Sequence, residues 1–335
     1  MSYFPVTNSN LSATHLGLFL QTKYSLSKST TCQLIKSGLN DTYLVTDNSD
    51  KFVFRIYSLN WRTKAEIEEE IKLLNQLKQN AISISHPLTD NENTYIQTLN
   101  APEGERFAVL FTFASGEKQH IILAETHFQI GQLMARLHKV TQNQKLNRTD
   151  YSPKVILIDS LKKISPFLTS TTEEMNFMKS AQKYLLKEFE SANTSQIRQG
   201  IVHLDIWFDN LNVTQDNKVT IFDFDFCGNG WLSLDVAYYI LQLHNIEKYE
   251  AKDYLPKVES FIKGYESITP ISAEEKRLIP MLGVSLYFFY LGVQCERYDN
   301  WSNSFLSENY LKRYINGLVK RYYEIYKLGD NENCS

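Results

Sequence analysis

Between Gly200 and Ala237 the chain sets three side chains that could serve one reaction. Asp205 follows the apolar pair Ile201-Val202 and then His203-Leu204, on a stretch with the look of a loop. Asn210 comes five positions later, far enough to round that loop and return. A strand-like run, Val219-Thr-Ile-Phe222, then delivers Asp223 and Asp225. A carboxylate can accept a hydrogen bond from an acceptor hydroxyl and orient it for attack. A carboxamide oxygen and a second carboxylate suit a hard cation. Carboxylate, carboxamide and carboxylate in this order are the parts that a magnesium-dependent phosphoryl transfer from ATP requires. Each residue taken singly has a plainer reading, as a loop acid, a turn asparagine or an acid that ends a strand. Their order, with a hairpin turn at Gln215-Asp-Asn-Lys218 between them, favours the chemistry.

The neighbours take supporting roles. His203 is expected to brace the loop through hydrogen bonds, since the loop acid already serves as base. Asp225 is either a further metal or water ligand or one half of a structural salt bridge. Asp235, in Leu-Asp-Val-Ala at the start of a helix, is expected to accept backbone N–H groups from the loop.

Other elements must position these groups. Ser12 to Tyr24 carries Leu16, Phe19 and Leu20 at helical spacing behind a capping serine. Cys32 to Ser58 alternates as strand, turn, strand, turn, strand, with Gly38 and Asn40-Asp41 in the first turn and Asp47 to Asp50 in the second. Arg55 falls inside the third strand. It is either a solvent-facing residue on an edge strand or a cation for nucleotide phosphates. Lys64 to Lys78 is an amphipathic helix with Ile67, Ile71, Leu74 and Leu77 on one face. One of its glutamates, Glu70 in preference to Glu66, is expected to turn inward toward Arg55. Strands follow near His86, Thr94 to Thr98 and Glu105 to Phe113. Phe111-Thr-Phe113-Ala-Ser-Gly116 could form a hinge whose backbone meets an adenine edge, or a plain connection. Beyond Thr126 the pattern is helical, with one helix closed by Arg136-Leu-His138, a looser stretch from Tyr151 to Lys163, a helix from Thr172 to Ala192, and helices near Ser233–His244, Lys252–Ser267, Ala273–Arg297 and Glu308–Tyr326. Most tyrosines of this half are expected in its core, a few along an acceptor pocket.

Bulk properties narrow the class. With 335 residues the chain can build two cores, and 43% hydrophobic content argues for folding. The near balance of 35 basic and 38 acidic residues gives no electrostatic case for nucleic acid or a membrane surface. Cys32, Cys227, Cys295 and Cys334 form no CxxC pair, which suits a reduced, cytoplasmic protein. The first ten residues lack the pattern of a signal peptide. Leu278 to Val293 is apolar but contains Pro280 and falls short of a membrane span; it is expected to be a buried helix.

These motifs resemble the aminoglycoside phosphotransferase and choline kinase family, which also holds type II homoserine kinases and a bacterial stress-response kinase. The family's H-G-D-x-x-x-x-N brace is matched by His203, Asp205 and Asn210, its D-x-D by Asp223 and Asp225, its D-x-A by Asp235 to Ala237, and its A-x-L-H by Ala135, Leu137 and His138. The resemblance spans about Gln33 to Tyr323. It implies an α+β, two-lobed protein-kinase-like fold with ATP between the lobes. A small antiparallel-sheet lobe would occupy residues 1–115, a larger helical lobe residues 116–328, and a short tail residues 329–335. It implies catalytic Asp205 with His203, magnesium on Asn210, Asp223 and Asp225, and nucleotide contacts from Arg55, Glu70, Gly38, Phe111 and Phe113. The acceptor would be a small-molecule hydroxyl: an amino alcohol, an amino acid, a sugar or an aminoglycoside. A serine/threonine protein kinase and a nucleotide-binding pseudokinase are the alternatives. Two departures stand out. Leu204 replaces the usual glycine, which would bar an easy positive φ and add bulk beside the acceptor. Arg55 stands where lysine is frequent.

Overall fold

The computed structural model describes residues 4–119, 122–246 and 251–329. The chain divides into two compact units, one built from the residues up to Ser115 together with Thr220–Phe222, the other from Gly116–Val219 and from Asp223 onward. Three residues from the second half of the sequence thus belong to the first unit. Ser85 N–H donates to the Ile221 carbonyl and Ile221 N–H to the Ser83 carbonyl, both at 3.0 Å.

The first unit is built on a six-stranded antiparallel sheet. Helix α1 (Ala13–Tyr24) is capped by the Ser12 hydroxyl and leads into β1 (Thr31–Lys36), β2 (Asn40–Asp47) and β3 (Asp50–Tyr57). Helix α2 (Lys64–Gln79) precedes β4 (Pro87–Leu88), β5 (Ile96–Ala101) and β6 (Gly104–Thr112). The order is β1-β2-β3-β6-β4, with β5 also on β6. Asn40 and Asp41 lie within β2 rather than in the first turn, because Asp41 pairs with Ile56 and its carboxylate anchors Arg106. Alternation along β3 sends Phe54 and Ile56 into a core with Leu16, Leu20, Tyr43 and Val45. Arg55 and Tyr57 fall on the opposite face. With α1 packed on one face and β3 flanked by β2 and β6, Arg55 has no edge on which to be solvated, which removes the edge-strand reading. A second buried arginine, Arg106, donates to Asp41, Glu103 and the backbone carbonyls of Tyr57, Ile56 and Ser9, so its charge is fully compensated.

The second unit is mainly helical. Helix α3 (Ala124–Thr141) continues one turn past His138. The stretch from Tyr151 to Lys163 is ordered rather than loose, as a π-helical segment (Lys154–Asp159) running into α4 (Ser160–Ile164). Next come α5 (Glu173–Glu190), β7 (Gln199–Val202), β8 (Leu211–Val213), β9 (Val219–Ile221), whose last two residues count with the first unit, and β10 (Gly228–Trp231), then α6 (Ser233–Ile246), α7 (Ala251–Glu266) and α8 (Ala273–Glu296). The region Glu308–Tyr326 is helical as expected, with a change of pitch along it. Helix α9 (Glu308–Tyr314) passes through a π segment (Ile315–Lys320) into α10 (Arg321–Ile325). Strand β10, Gly-Asn-Gly-Trp, pairs antiparallel with β7 and has no strand-like composition. Its glycines answer to close neighbours: a Cβ on Gly228 would lie 2.6 Å from the Thr149 carbonyl oxygen, and one on Gly230 would lie 2.7 Å from Leu234. The apolar window of α8 is 83% buried within the protein, so its hydrophobicity is satisfied by the core. Cys32, Cys227 and Cys295 form no disulfide, whereas Cys334 and the tail 330–335 lie outside the described residues.

Two buried histidines make stability depend on pH. His127 shares a 2.7 Å hydrogen bond with the Tyr239 hydroxyl, and His244 shares one of 3.1 Å with Tyr326. Burial, aided by Lys257 and Arg321 respectively, lowers both imidazoles from 6.5 to about 4. Between those values the unfolded chain binds protons that the native protein does not, so stability rises with pH across that window and is complete above it. Each site contributes up to about 3 kcal/mol. The unfolding midpoint is expected to fall as pH drops from 7 toward 4. That slope should be shallower in His127→Gln and His244→Gln; identical slopes would show that these sites do not titrate between the two states.

Candidate active site

Strand β7 buries Ile201 and Val202 and delivers the chain to His203. The loop that begins there is held by the first turn of α6. Asp235 accepts the N–H of His203 at 2.9 Å and of Leu204 at 2.6 Å, and its Oδ2 meets His138 Nε2 at 3.0 Å. His138 in turn shares a hydrogen bond of 2.7 Å with the Tyr265 hydroxyl. The carboxylate is 0% exposed, so three donors and the helix N-terminus replace its water. Asp235 thus has the bracing role expected for it, and His138 is a satisfied core histidine within α3 rather than a cap.

Leu204 adopts the positive φ that its side chain makes costly. Its φ is +65°, the left-handed conformation that glycine would enter without strain, and its side chain is 0% exposed, packed in the core. A non-glycine residue in that region costs of order 1–3 kcal/mol and persists where its surroundings over-determine it. Here Asp235 holds the Leu204 N–H and the Tyr290 hydroxyl holds its carbonyl.

Asp205 emerges half-buried. Its N–H donates to His203 Nδ1 at 3.0 Å, and the His203 ring packs on Phe224 at 4.2 Å between centroids, so the histidine braces the loop as expected. A turn at Phe208–Asn210 brings Asn210 back. The Asn210 amide nitrogen donates to Asp205 Oδ2 at 2.7 Å and to the Asp205 carbonyl at 3.0 Å. That use of nitrogen leaves the amide oxygen for a cation. Tyr238 donates to Asp205 Oδ1 at 2.5 Å. Asp223 is half-buried with φ +66°, a conformation that aspartate tolerates better than most residues. Asp225 is buried; its carbonyl accepts from Arg148, which also reaches the Cys227 sulfur at 2.9 Å. Burial lowers the pKa of Arg297, with the charges of Glu296 and Asp225 acting against it. Asp209 is tied to Lys118 at 2.6 Å. Among the described residues no three His, Cys, Asp or Glu gather as a metal centre. The donor set of Asn210 and Asp223 still fits magnesium, which takes one or two protein oxygens along with phosphates and water.

In the first unit, Arg55 Nη1 donates to Glu70 Oε1 at 2.8 Å and to the Tyr57 hydroxyl at 3.2 Å, while Tyr57 donates to Glu70 Oε2 at 3.1 Å. The guanidinium stacks over Phe111 at 4.8 Å. Glu70 is therefore the inward glutamate. Glu66 instead closes a capping box with Thr63. Phe111 is buried and paired in the ladder with both Val53 and Pro87, so any open hinge backbone begins after Thr112. Phe113 is half-buried beneath the Lys51 ammonium at 5.6 Å. Gly38 lies in the loop between β1 and β2. Removing one partner of a buried ion pair costs about 3–5 kcal/mol, whereas losing a cap costs ~1. Urea unfolding is accordingly expected to find Glu70→Ala destabilised about threefold more than Glu66→Ala. Equal losses would remove the distinction drawn between them.

Residues 31–253 match the sequence profile of the phosphotransferase enzyme family. The chain belongs to this family. It is a phosphotransferase, and the matched region takes in Arg55, Glu70, Asp205, Asn210, Asp223 and Asp235. A homoserine kinase of Methylobacillus flagellatus is 25% identical over 272 residues, covering 80% of each protein. The microcompartment-associated aminopropanol kinase has a similar structure, with a TM-score of 0.74, 19% identity, and coverage of 94% of this chain and 99% of that one. An amicoumacin kinase in complex with AMP-PNP, Ca2+ and amicoumacin gives a TM-score of 0.75 at 16% identity, over 94% and 97% of the two chains. These likenesses establish the kinase-like fold of the phosphotransferase family. No pattern in the sequence points to Tyr290 or Arg148. Tyr238 left one trace, since it stands three residues after Asp235 and so shares its helix face.

Proposed function

We propose that this phosphotransferase moves the γ-phosphate of ATP, with magnesium, to the hydroxyl of a small molecule that also carries an amine. The observation that carries the reading is the Asp205 carboxylate, held by Asn210 on a loop that Asp235 and Tyr290 lock in place. Asp205 takes the proton of the acceptor hydroxyl as that oxygen bonds to the γ-phosphorus and the bond to the bridging oxygen breaks, releasing ADP. Asn210 and Asp223 would hold the metal, which when bound neutralises charge on the phosphates. Asp225, two residues on and buried, is kept as a third candidate for the metal or its water. Arg55, steadied by Glu70, is assigned to the phosphates. Three cysteines that form no disulfide suit the reduced cytoplasm where ATP is abundant.

The acceptor class draws support from the homoserine and aminopropanol kinases, whose named compounds both pair a hydroxyl with an amine. It does not rest on Asp209, which Lys118 already engages. A small acceptor also suits the short path from Asp223 through β10 into α6, which contains no long loop for docking a protein. The test is transfer of labelled γ-phosphate to a panel of amino alcohols, hydroxy amino acids, sugars and aminoglycosides, alongside a whole-cell protein extract. Label in an amino alcohol or hydroxy amino acid is expected. Label confined to sugars or to protein bands would overturn the acceptor class.

A further inference from the structure

Tyr238 is the least expected member of the loop's surroundings. It lies on α6 one turn after Asp235, on the same face, so one helix holds the loop at two points. Asp235 takes the backbone N–H groups of His203 and Leu204, while Tyr238 donates its hydroxyl to Asp205 Oδ1 at 2.5 Å. That length is typical of a hydroxyl donating to an ionised carboxylate. The ring is buried and sits 5.2 Å from the ring of Tyr290, whose own hydroxyl holds the Leu204 carbonyl. Two neighbouring phenols from α6 and α8 therefore fix consecutive residues of the loop. With Asn210 donating to Oδ2 and Tyr238 to Oδ1, both oxygens of the Asp205 carboxylate are held, and rotation about the bond to that group would break both hydrogen bonds.

Resting on the reading of Asp205 as the base, we infer that Tyr238 is a positioning residue for phosphoryl transfer, setting through its hydroxyl which oxygen of Asp205 meets the acceptor. Burial and the charge of Asp205 raise the Tyr238 phenol well above its ordinary value, so it stays a donor throughout turnover. Its neighbour Tyr239 makes an informative contrast. Tyr239 is equally buried, but its hydroxyl is shared with His127 and has no part in the loop.

The test is Tyr238→Phe, which keeps the ring and removes only the donor. A freed carboxylate visits unproductive rotamers, and misplacing a catalytic group by about 1 Å costs roughly a hundredfold. The expected result is a kcat lowered about tenfold to a hundredfold, an unchanged KM for ATP and an unfolding midpoint lowered only modestly, so that the enzyme stays folded under assay, with Tyr239→Phe retaining wild-type kcat. An unchanged kcat would overturn the proposal. So would a kcat that falls only in step with stability or with ATP affinity, since that marks a merely structural hydroxyl. A second measurement needs no acceptor. The short hydrogen bond should give a downfield hydroxyl proton resonance in the free protein, lost in Tyr238→Phe and moved upfield in Asp205→Asn, whose neutral amide oxygen accepts more weakly. If the resonance shows this pattern while no acceptor is phosphorylated, the proposed function fails and the contact stands. If it is absent from the wild type, the positioning role itself is refuted.

Discussion

Asp205→Asn is expected to lose phosphoryl transfer by on the order of a thousandfold or more while binding ATP about as tightly as the wild type. A general base contributes roughly a hundredfold to ten-thousandfold, and an amide cannot take the proton. The substitution is nearly isosteric, so Tyr238 can still donate to the remaining oxygen. The new amide nitrogen would, however, face the Asn210 nitrogen that now donates to Oδ2, one donor against another. That clash costs about one hydrogen bond, ~1 kcal/mol, in stability. Steady-state transfer and calorimetric titration with ATP separate the two quantities. Parallel loss of binding and transfer would show that Asp205 shapes the nucleotide site rather than the chemical step.

Asp223→Asn should be nearly as damaging, by a different route. Asparagine is at ease in the left-handed conformation that Asp223 occupies at φ +66°, so the backbone should survive the change. What disappears is the negative charge. Charge stabilisation by a bound cation is worth several kcal/mol, or ~1,000-fold in rate. The variant is expected to need far more magnesium for half-maximal activity and to recover partly as the metal is raised. Chelation of the metal should silence the wild type. A rate that falls without any change in magnesium dependence would place the metal elsewhere.

Where a residue's role arises from local pattern, the sequence was enough to find it. The apolar face of α2 puts Glu70 between Ile67 and Leu74, among buried side chains, and Thr63-Lys-Ala-Glu66 carries the capping signature that keeps Glu66 at the helix start. Asp205, Asn210 and Asp235 stood out through chain order and function-bearing chemistry, and geometry brings all three together. Roles created by distant partners stayed hidden. The Tyr238 hydroxyl vanishes among the many aromatic residues of the helical half, because hydrophobic periodicity does not register one oxygen atom. The conformation of Leu204 is imposed by Asp235 and Tyr290, which lie 31 and 86 positions away. Propensity alone argues against it. Strand β10 escaped notice for a related reason: its glycines are set by Thr149, Tyr151 and Leu234, and not by strand preference.

The three-residue excursion of the chain into the first unit has a consequence for synthesis. Domains emerging from the ribosome generally fold from the N-terminus onward as each is completed. This one cannot be completed when Ser115 appears, because the Ser83 carbonyl and the Ser85 N–H still lack the backbone of Ile221. More than a hundred residues of the following unit must be translated before that closing strand becomes available. The nascent chain therefore carries unmet backbone hydrogen-bonding groups at Ser83 and Ser85 through much of its elongation, and the first unit closes only when the second is already part-made.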